Sequence, residues 1–359
     1  MTQTVALMHD GITWTTVGQA VLVFWLVWWA WTQYTWALNA ADTTHQLIQL
    51  GTLLATAIAF FMAVAVPGAF GDRALWFAVT YVLVRVLGLT LYIWVASLDP
   101  GQKVAVRGFA TVSIGGLVAV LIGGYVGGSA QYWLWGAAIL LDIVAAMVGG
   151  RSEGWDLHPD HFAERHGLFV IIALGETLIV AAGGVSGAEW TQTLFTLAVL
   201  AVALTCVLWW SYFPKAKPLL DRALEAAHGA DLSMMARDVY SLLHFPMLCG
   251  VILYAASLEH AVSHLEDPFP LEGRVALGVS LLLFVGGMGL SLWRATGRAP
   301  LPRLLIGLVT ALLVIMLGQV AAPVTLLISL AGIAALILVE ARTITPAPDS
   351  EIKNLGTHG

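Results

Sequence analysis

Three ionisable residues stand inside long apolar runs of this 359-residue chain: Arg85, Asp142 and Glu176. A charge in such surroundings costs about 3 kcal/mol or more, so it pairs with another charge or marks the path of a solute or proton. Arg85 lies near the middle of the run 74–97, about 16 Å from each end at 1.5 Å per helical residue. Asp142 lies about 11 Å inside one end of the run 130–149, and Glu176 about 12 Å inside the far end of the run 162–184. Two readings are open: a structural ion pair such as Arg85 with Glu176, or a site for substrate or protons. His244 is a fourth candidate. Arg237, Tyr240 and His244 recur at helical spacing on one face, and Pro246 removes a backbone bond just beyond them, which predicts a kink. That His is either part of a gate or a hydrogen-bonded structural group.

Other chemistries find less support. His158, Asp160, His161, Glu164 and His166 crowd one loop and helix start, and His260 and His264 stand at i, i+4. Neither set has the HExxH or paired-Cys spacing of a zinc site, so no metal and no other cofactor is expected. Gly184-Val185-Ser186-Gly187 matches a short serine-nucleophile string but has no base in reach. There is no P-loop or dinucleotide fingerprint. Cys206 and Cys249 fall at depths of about 10 and 22 Å from the same side. A disulfide needs Cα atoms within about 7 Å, so both are expected to be free, buried thiols.

The elements that must hold these residues follow from composition. The chain is 59% apolar and 11% charged, with 15 Trp and net charge −6; its mean hydropathy is +0.85. Soluble domains carry roughly a quarter charged residues. This chain cannot coat a water-facing surface, which excludes a soluble enzyme, a disordered protein and a nucleic-acid binder. Its partner is the lipid bilayer. Apolar runs cover 15–37, 47–67, 74–97, 106–126, 130–149, 162–184, 190–213, 234–257, 275–293, 303–319 and 322–340. Turn residues such as Pro67-Gly68, Asp99-Pro100-Gly101 and Gly127-Gly128 separate them. The runs do not alternate every second residue, so they are not barrel strands. The expectation is an all-α polytopic bundle of eleven complete spans with a partial first one at 1–8.

Orientation follows from the cations. With loops assigned alternately, one side collects Lys103, Arg107, Arg151, Arg165, Lys215, Lys217, Arg222, Arg237, Arg294, Arg298, Arg303, Arg342 and Lys353. The other side collects Arg73 and Arg274. The rich side is cytoplasmic, with the C-terminus there and the loop 258–274 outside. Trp28-Trp29-Ala30-Trp31 and Trp209-Trp210-Ser211-Tyr212 close two spans on that side, and each precedes a span opening near a His, His45 or His244. Six spans separate these copies, which predicts a parallel 6+6 duplication, a layout used by secondary transporters. The first repeat is 1–149, the second 150–342, and 343–359 is a cytoplasmic tail.

The stretch His161-Phe162-Ala163-Glu164-Arg165-His166-Gly167-Leu168-Phe169, running on to Leu174-Gly175-Glu176, resembles the hallmark of the bacterial low temperature requirement A family. His166 replaces the aromatic usual in that motif. The stretch 28–36 also looks like that family's second span. The resemblance implies a multi-span bacterial inner-membrane protein, with motif residues Glu164, Arg165, Gly167, Gly175 and Glu176. On the helix, Arg165 and Glu176 fall within about 20° of one stripe, expected to face the interior. Family members usually open with an acidic first span of which Thr2-Gln3 would be the remnant, so the natural chain is expected to start earlier. Two functions stay in view. The first is a secondary transporter for a small solute or ion, with Arg85, Asp142, Glu176 and His244 lining its path. The second is a membrane-embedded enzyme or sensor acting on lipid or the cell envelope. The sequence leaves an oligomer open.

Overall fold

The computed structural model describes residues 1–97, 100–149, 155–186, 189–265 and 267–343. Asp99, Arg151, Gly187, Glu266 and the tail 344–359, with Lys353, lie outside the described residues. Every regular element among those described is helical. A short turn, Thr2–Val5, runs into a 3-10 turn, Ala6–Met8, and eleven helices follow. They are α1 (Trp14–Asn39), α2 (Gln46–Ala65), α3 (Ala74–Ala96), α4 (Pro100–Val126), α5 (Gly128–Gly149) and α6 (Pro159–Ser186). The later ones are α7 (Gln192–Glu225), α8 (Gly229–Val262), α9 (Leu271–Thr296), α10 (Leu301–Met316) and α11 (Ala322–Thr343).

Their ends follow local chemistry. Thr13 caps α1 by accepting from the Thr16 N–H, and Thr16 returns the bond to Thr13; that is a capping box. Gly127 and Gly128 take positive φ to turn α4 back on α5, a conformation cheap only for glycine. Prolines widen two helices. α7 carries a π turn at Tyr212–Ala216 around Pro214, and α8 carries one at Ala236–Leu242. The sequence places a kink at Pro246. The structure puts the irregularity one turn earlier, where Leu243 N–H bonds Asp238 C=O at 2.9 Å. Pro246 has no N–H for the Leu242 carbonyl and its ring crowds that carbonyl, so the preceding turn opens.

Nine described helices are long and apolar enough to cross a membrane. The two that fall short are α1 and α10, at the expected runs 15–37 and 303–319. α10 has 16 residues, about 24 Å. α1 is long but rich in Trp, Thr and Gln, and the reason is its position: much of it is buried inside the bundle rather than against lipid. The reverse holds for α2, whose Leu47, Leu50, Leu53, Leu54, Phe60 and Phe61 are exposed. Such an apolar perimeter demands a non-aqueous surround.

The interior holds two large apolar cores. One gathers residues of α1 to α5, the other residues of α6 to α11. α1 lies across both. Val23, Trp25, Leu26 and Trp29 face the first, while Ala20, Phe24 and Trp28 face the second. Glycines set how closely helices approach. A Cβ on Gly250 of α8 would lie 2.6 Å from Ser280 O and 2.8 Å from Phe284 N of α9. Small residues at such crossings let backbones touch. Gly250→Ala should therefore cost about 1–3 kcal/mol by overpacking, read as a lower unfolding temperature in detergent. Gly286→Ala on the same crossing helix meets nothing within 4 Å and should leave that temperature unchanged.

Candidate functional site

α1 positions the deepest charges. Arg85 on α3 is fully buried and reaches Asp142 of α5 through two N–H groups, each 3.2 Å from Oδ1. Its NH1 also donates to the Tyr81 hydroxyl, one turn back, at 2.7 Å. From α1, Gln33 donates to the Arg85 carbonyl at 3.0 Å and Tyr34 to the Val84 carbonyl at 3.0 Å. The indole N–H groups of Trp25 and Trp29 turn toward Asp142 without closing to hydrogen-bond geometry. The structure thus joins Arg85 to Asp142. Glu176 is elsewhere, half-buried, accepting a hydrogen bond from the Thr2 hydroxyl. An ion pair of Arg85 with Glu176 does not form: helix periodicity places a residue on a face, but only packing chooses the facing helix.

His244 opens the regular part of α8 immediately after the π turn. Its Nδ1 bonds the Val239 carbonyl at 2.8 Å and its Nε2 meets the Tyr212 hydroxyl at 2.9 Å. The carbonyl requires a proton on Nδ1, so Nε2 accepts from Tyr212. Its neighbours are aromatic. Tyr240 stacks on it at 5.1 Å between ring centroids, and His166 of α6 approaches edge-on at 5.9 Å. Tyr240 in turn donates to Asp221, which also holds Lys217. The two widened turns of α7 and α8 therefore face each other across one buried polar cluster.

α1 stitches this cluster to the Arg85 pair. Trp28 donates its indole N–H to the Ser241 carbonyl at 2.8 Å, and Trp36 donates to the Ser241 hydroxyl at 3.0 Å. Beside them a cavity opens at the end of the seam where α1 finishes. Its volume is about 40 Å³, room for a few waters. Trp29, Trp36, Tyr92, Phe109 and Trp155 supply its rings, and Thr32, Gln33, Arg237 and Ser241 its polar groups.

The family model described as bacterial low temperature requirement A protein matches residues 1–339. The chain belongs to the low temperature requirement A family. A relative from Rhizobium meliloti (strain 1021), described as an uncharacterised protein, is 27% identical over 297 residues, covering 76% of this chain and 68% of the relative. No solved structure matches.

The low temperature requirement A motif lies on α6. Phe162, Ala163, His166, Gly167 and Val170 form its buried face. Gly167 lets the Lys217 side chain cross, since a Cβ there would lie 2.8 Å from Lys217 Cε. Glu164 is exposed, with a carboxylate oxygen 3.9 Å from His161. A Cβ on Gly175 would meet nothing within 4 Å. Arg165 and Glu176 are both half-buried, so their stripe runs along the flank of the buried face rather than at its centre. His166 points into the core while His158, His161 and Glu164 stay outside, so those groups do not converge on one point. Cys249 is buried, but Cys206 is exposed on the perimeter; both are free thiols.

Two charges at the ends of expected runs are buried: Arg303, assigned with the cytoplasmic-side cations, and Glu340, the last residue of the run 322–340. Arg303 sits in the first turn of α10 and grips Glu340 of α11 through Nε at 2.6 Å and NH2 at 2.7 Å. Pro300-Leu301-Pro302 reads as a loop, yet proline is favoured in a first helical turn, where its missing N–H costs nothing. That was the available signal.

At the other end, His9 bonds Glu259 at 2.6 Å, tying the N-terminal segment to α8. The hydrogen bond and charge of Glu259, with a smaller contribution from Asp10, raise the His9 pKa above its ordinary 6.5. The sign follows: the tie is fully present below about pH 6.5 and is lost as pH rises through the raised folded value. Glu259→Gln should return His9 to the ordinary imidazole range, measured by NMR titration of the labelled histidine in detergent.

Proposed function

We propose that this low temperature requirement A protein is a secondary transporter of a small solute in the bacterial cytoplasmic membrane. In this reading all eleven helices are spans and the cation-rich end, with the C-terminus, faces the cytoplasm. The observation that carries it is the cavity at the seam, where α1 bridges two halves with separate cores. A seam between halves that can rock is where such carriers bind their solute.

A 6+6 duplication is supported by two correspondences. α1 packs on α5, and six helices later α7 packs on α11. The last helix of each half carries a buried carboxylate, Asp142 and Glu340; the arginines that hold them, on α3 and α10, are seven helices apart and lie outside the correspondence. Counted back from the helix ends, the two carboxylates differ by four residues, about one turn on the same face. Arg85 and Asp142 then act as the rigid floor of the seam, and His244, between two widened turns, sits where a helix can bend. Reconstituted into proteoliposomes with a pH or potential gradient, the protein should accumulate a solute from a chemical panel. An absence of uptake across neutral, anionic and cationic classes would overturn the reading.

A further inference from the structure

We propose that the seam cavity binds one chloride-sized monovalent anion together with a water; the site goes beyond the transporter reading and does not rest on it. The unpaired polar atoms are the first argument. Thr35, Thr80, Thr177 and Thr205 are buried, and each donates its hydroxyl to the carbonyl four residues back. Thr32 does not: it is 2% exposed, and its hydroxyl has no partner. Next to it, Gln33 is equally buried; its amide nitrogen serves the Arg85 carbonyl, and its Oε1 has no partner. Ser241, also buried, accepts the Trp36 indole N–H, and its own proton meets no acceptor among the described residues. All three line the cavity. Buried polar atoms are rarely left unpaired unless a water, ion or ligand meets them.

Charge decides what meets them. Arg237, from α8, is 8% exposed and lines the cavity, and no carboxylate joins it there among the described residues. Its Nε and Nη2 both turn to one oxygen of Asp238, at 2.7 and 2.6 Å, and Arg294 takes the other oxygen at 2.8 Å. Two guanidinium groups share one carboxylate, so the trio keeps one net positive charge beside the cavity. A buried charge without a full partner is costly, and walls of Trp29, Trp36, Tyr92, Phe109 and Trp155 strengthen its pull by keeping the local dielectric low. Size narrows the class. A volume of about 40 Å³ takes about three water-sized particles. Chloride, a little larger than a water, fits with a water beside it; an organic acid or a tetrahedral oxyanion has too many heavy atoms for that space. Arg237 Nη1 and the Thr32 and Ser241 hydroxyls then donate to the anion, while the water donates to Gln33 Oε1. So held, the anion ties α1 to α8 across the two halves.

The test is the unfolding temperature of the purified full chain in detergent, because any ligand of the folded state must raise it. Sodium gluconate, whose anion is too large for the cavity, is replaced stepwise by sodium chloride at constant ionic strength. Chloride should raise the unfolding temperature of the parent. Thr32→Val breaks no existing bond and removes one donor to the anion, so the same rise should need about tenfold more chloride, the loss of one charge-assisted bond. Arg237→Gln removes the charge and should abolish the rise. Because Arg237 also holds Asp238, Thr32→Val is the variant that keeps the test sound if Arg237→Gln fails to fold. No difference between chloride and gluconate up to about 100 mM, the range of ordinary ionic screening, overturns the proposal and leaves the cavity to water alone. So does an equal rise in the parent and Thr32→Val, which is a general salt effect. Chloride stabilisation without uptake of any solute refutes transport and keeps the site, whereas uptake without chloride stabilisation refutes the site alone.

Discussion

Asp142→Ala should destabilise the protein by about 3–5 kcal/mol, the cost of stranding a buried charge once its partner is removed. Arg85 is fully buried, and its Nη1 and Nη2 are committed to Asp142 and Tyr81. Replacing both partners, Arg85→Leu with Asp142→Leu, should recover most of that loss, because two apolar side chains need no compensating charge. Unfolding in mixed micelles, followed by tryptophan fluorescence, measures both variants. If the double variant loses as much stability as Asp142→Ala or more, the two residues do not act as a pair. The double variant also separates structure from transport. A carrier that folds but no longer moves solute would place the pair in the mechanism, and one that keeps full uptake would confine it to holding α3 against α5.

Glu340→Ala should cost a similar 3–5 kcal/mol, since it strands Arg303. Here the geometry is a fork: Arg303 Nε and NH2 meet the two Glu340 oxygens, and NH2 also reaches the Ser211 carbonyl at 3.3 Å. Arg303→Lys keeps the charge and loses the fork. It should cost about 1.5–3 kcal/mol, one charge-assisted bond. Equal stability of the lysine variant and the parent in the same micelle assay would show that charge alone matters there. The ties among α7, α10 and α11 depend on this residue, so its loss should loosen the second half before the first. Limited proteolysis of the variant would reveal that as earlier cleavage beyond residue 190.

Helical class, the family motif and the positions of the turns were legible in the chain. Apolar runs of about 20 residues between Gly and Pro breaks leave few alternatives once charges are this scarce. The site was legible in part. Trp28 to Trp36 stood out as one copy of a repeated span end and as the family's second span. Thr32 and Gln33 within that stretch carried a further signal: two polar side chains in a helix of indoles have no reason to be there unless the helix runs through the interior. Arg303 was missed for a different reason, since a Pro-rich stretch starts a helix as readily as it forms a loop.

By itself, the sequence determined that this protein is a helical bundle bathed in lipid, with Arg85, Asp142 and Glu176 on its spans and a low temperature requirement A motif on the helix that begins at Pro159. Those properties come from hydropathy, periodicity and local turn chemistry, all of which act within about 20 residues. Only the tertiary structure decided that Arg85 meets Asp142 and not Glu176, that His244 is tied to Tyr212, and that α1 is the seam. Partners separated by 57 residues, or by 213 as for Trp28 and Ser241, are chosen by which helix faces pack against each other. Lipid supplies no hydrophobic drive to choose among such faces, so close packing and the pairing of polar groups make the choice.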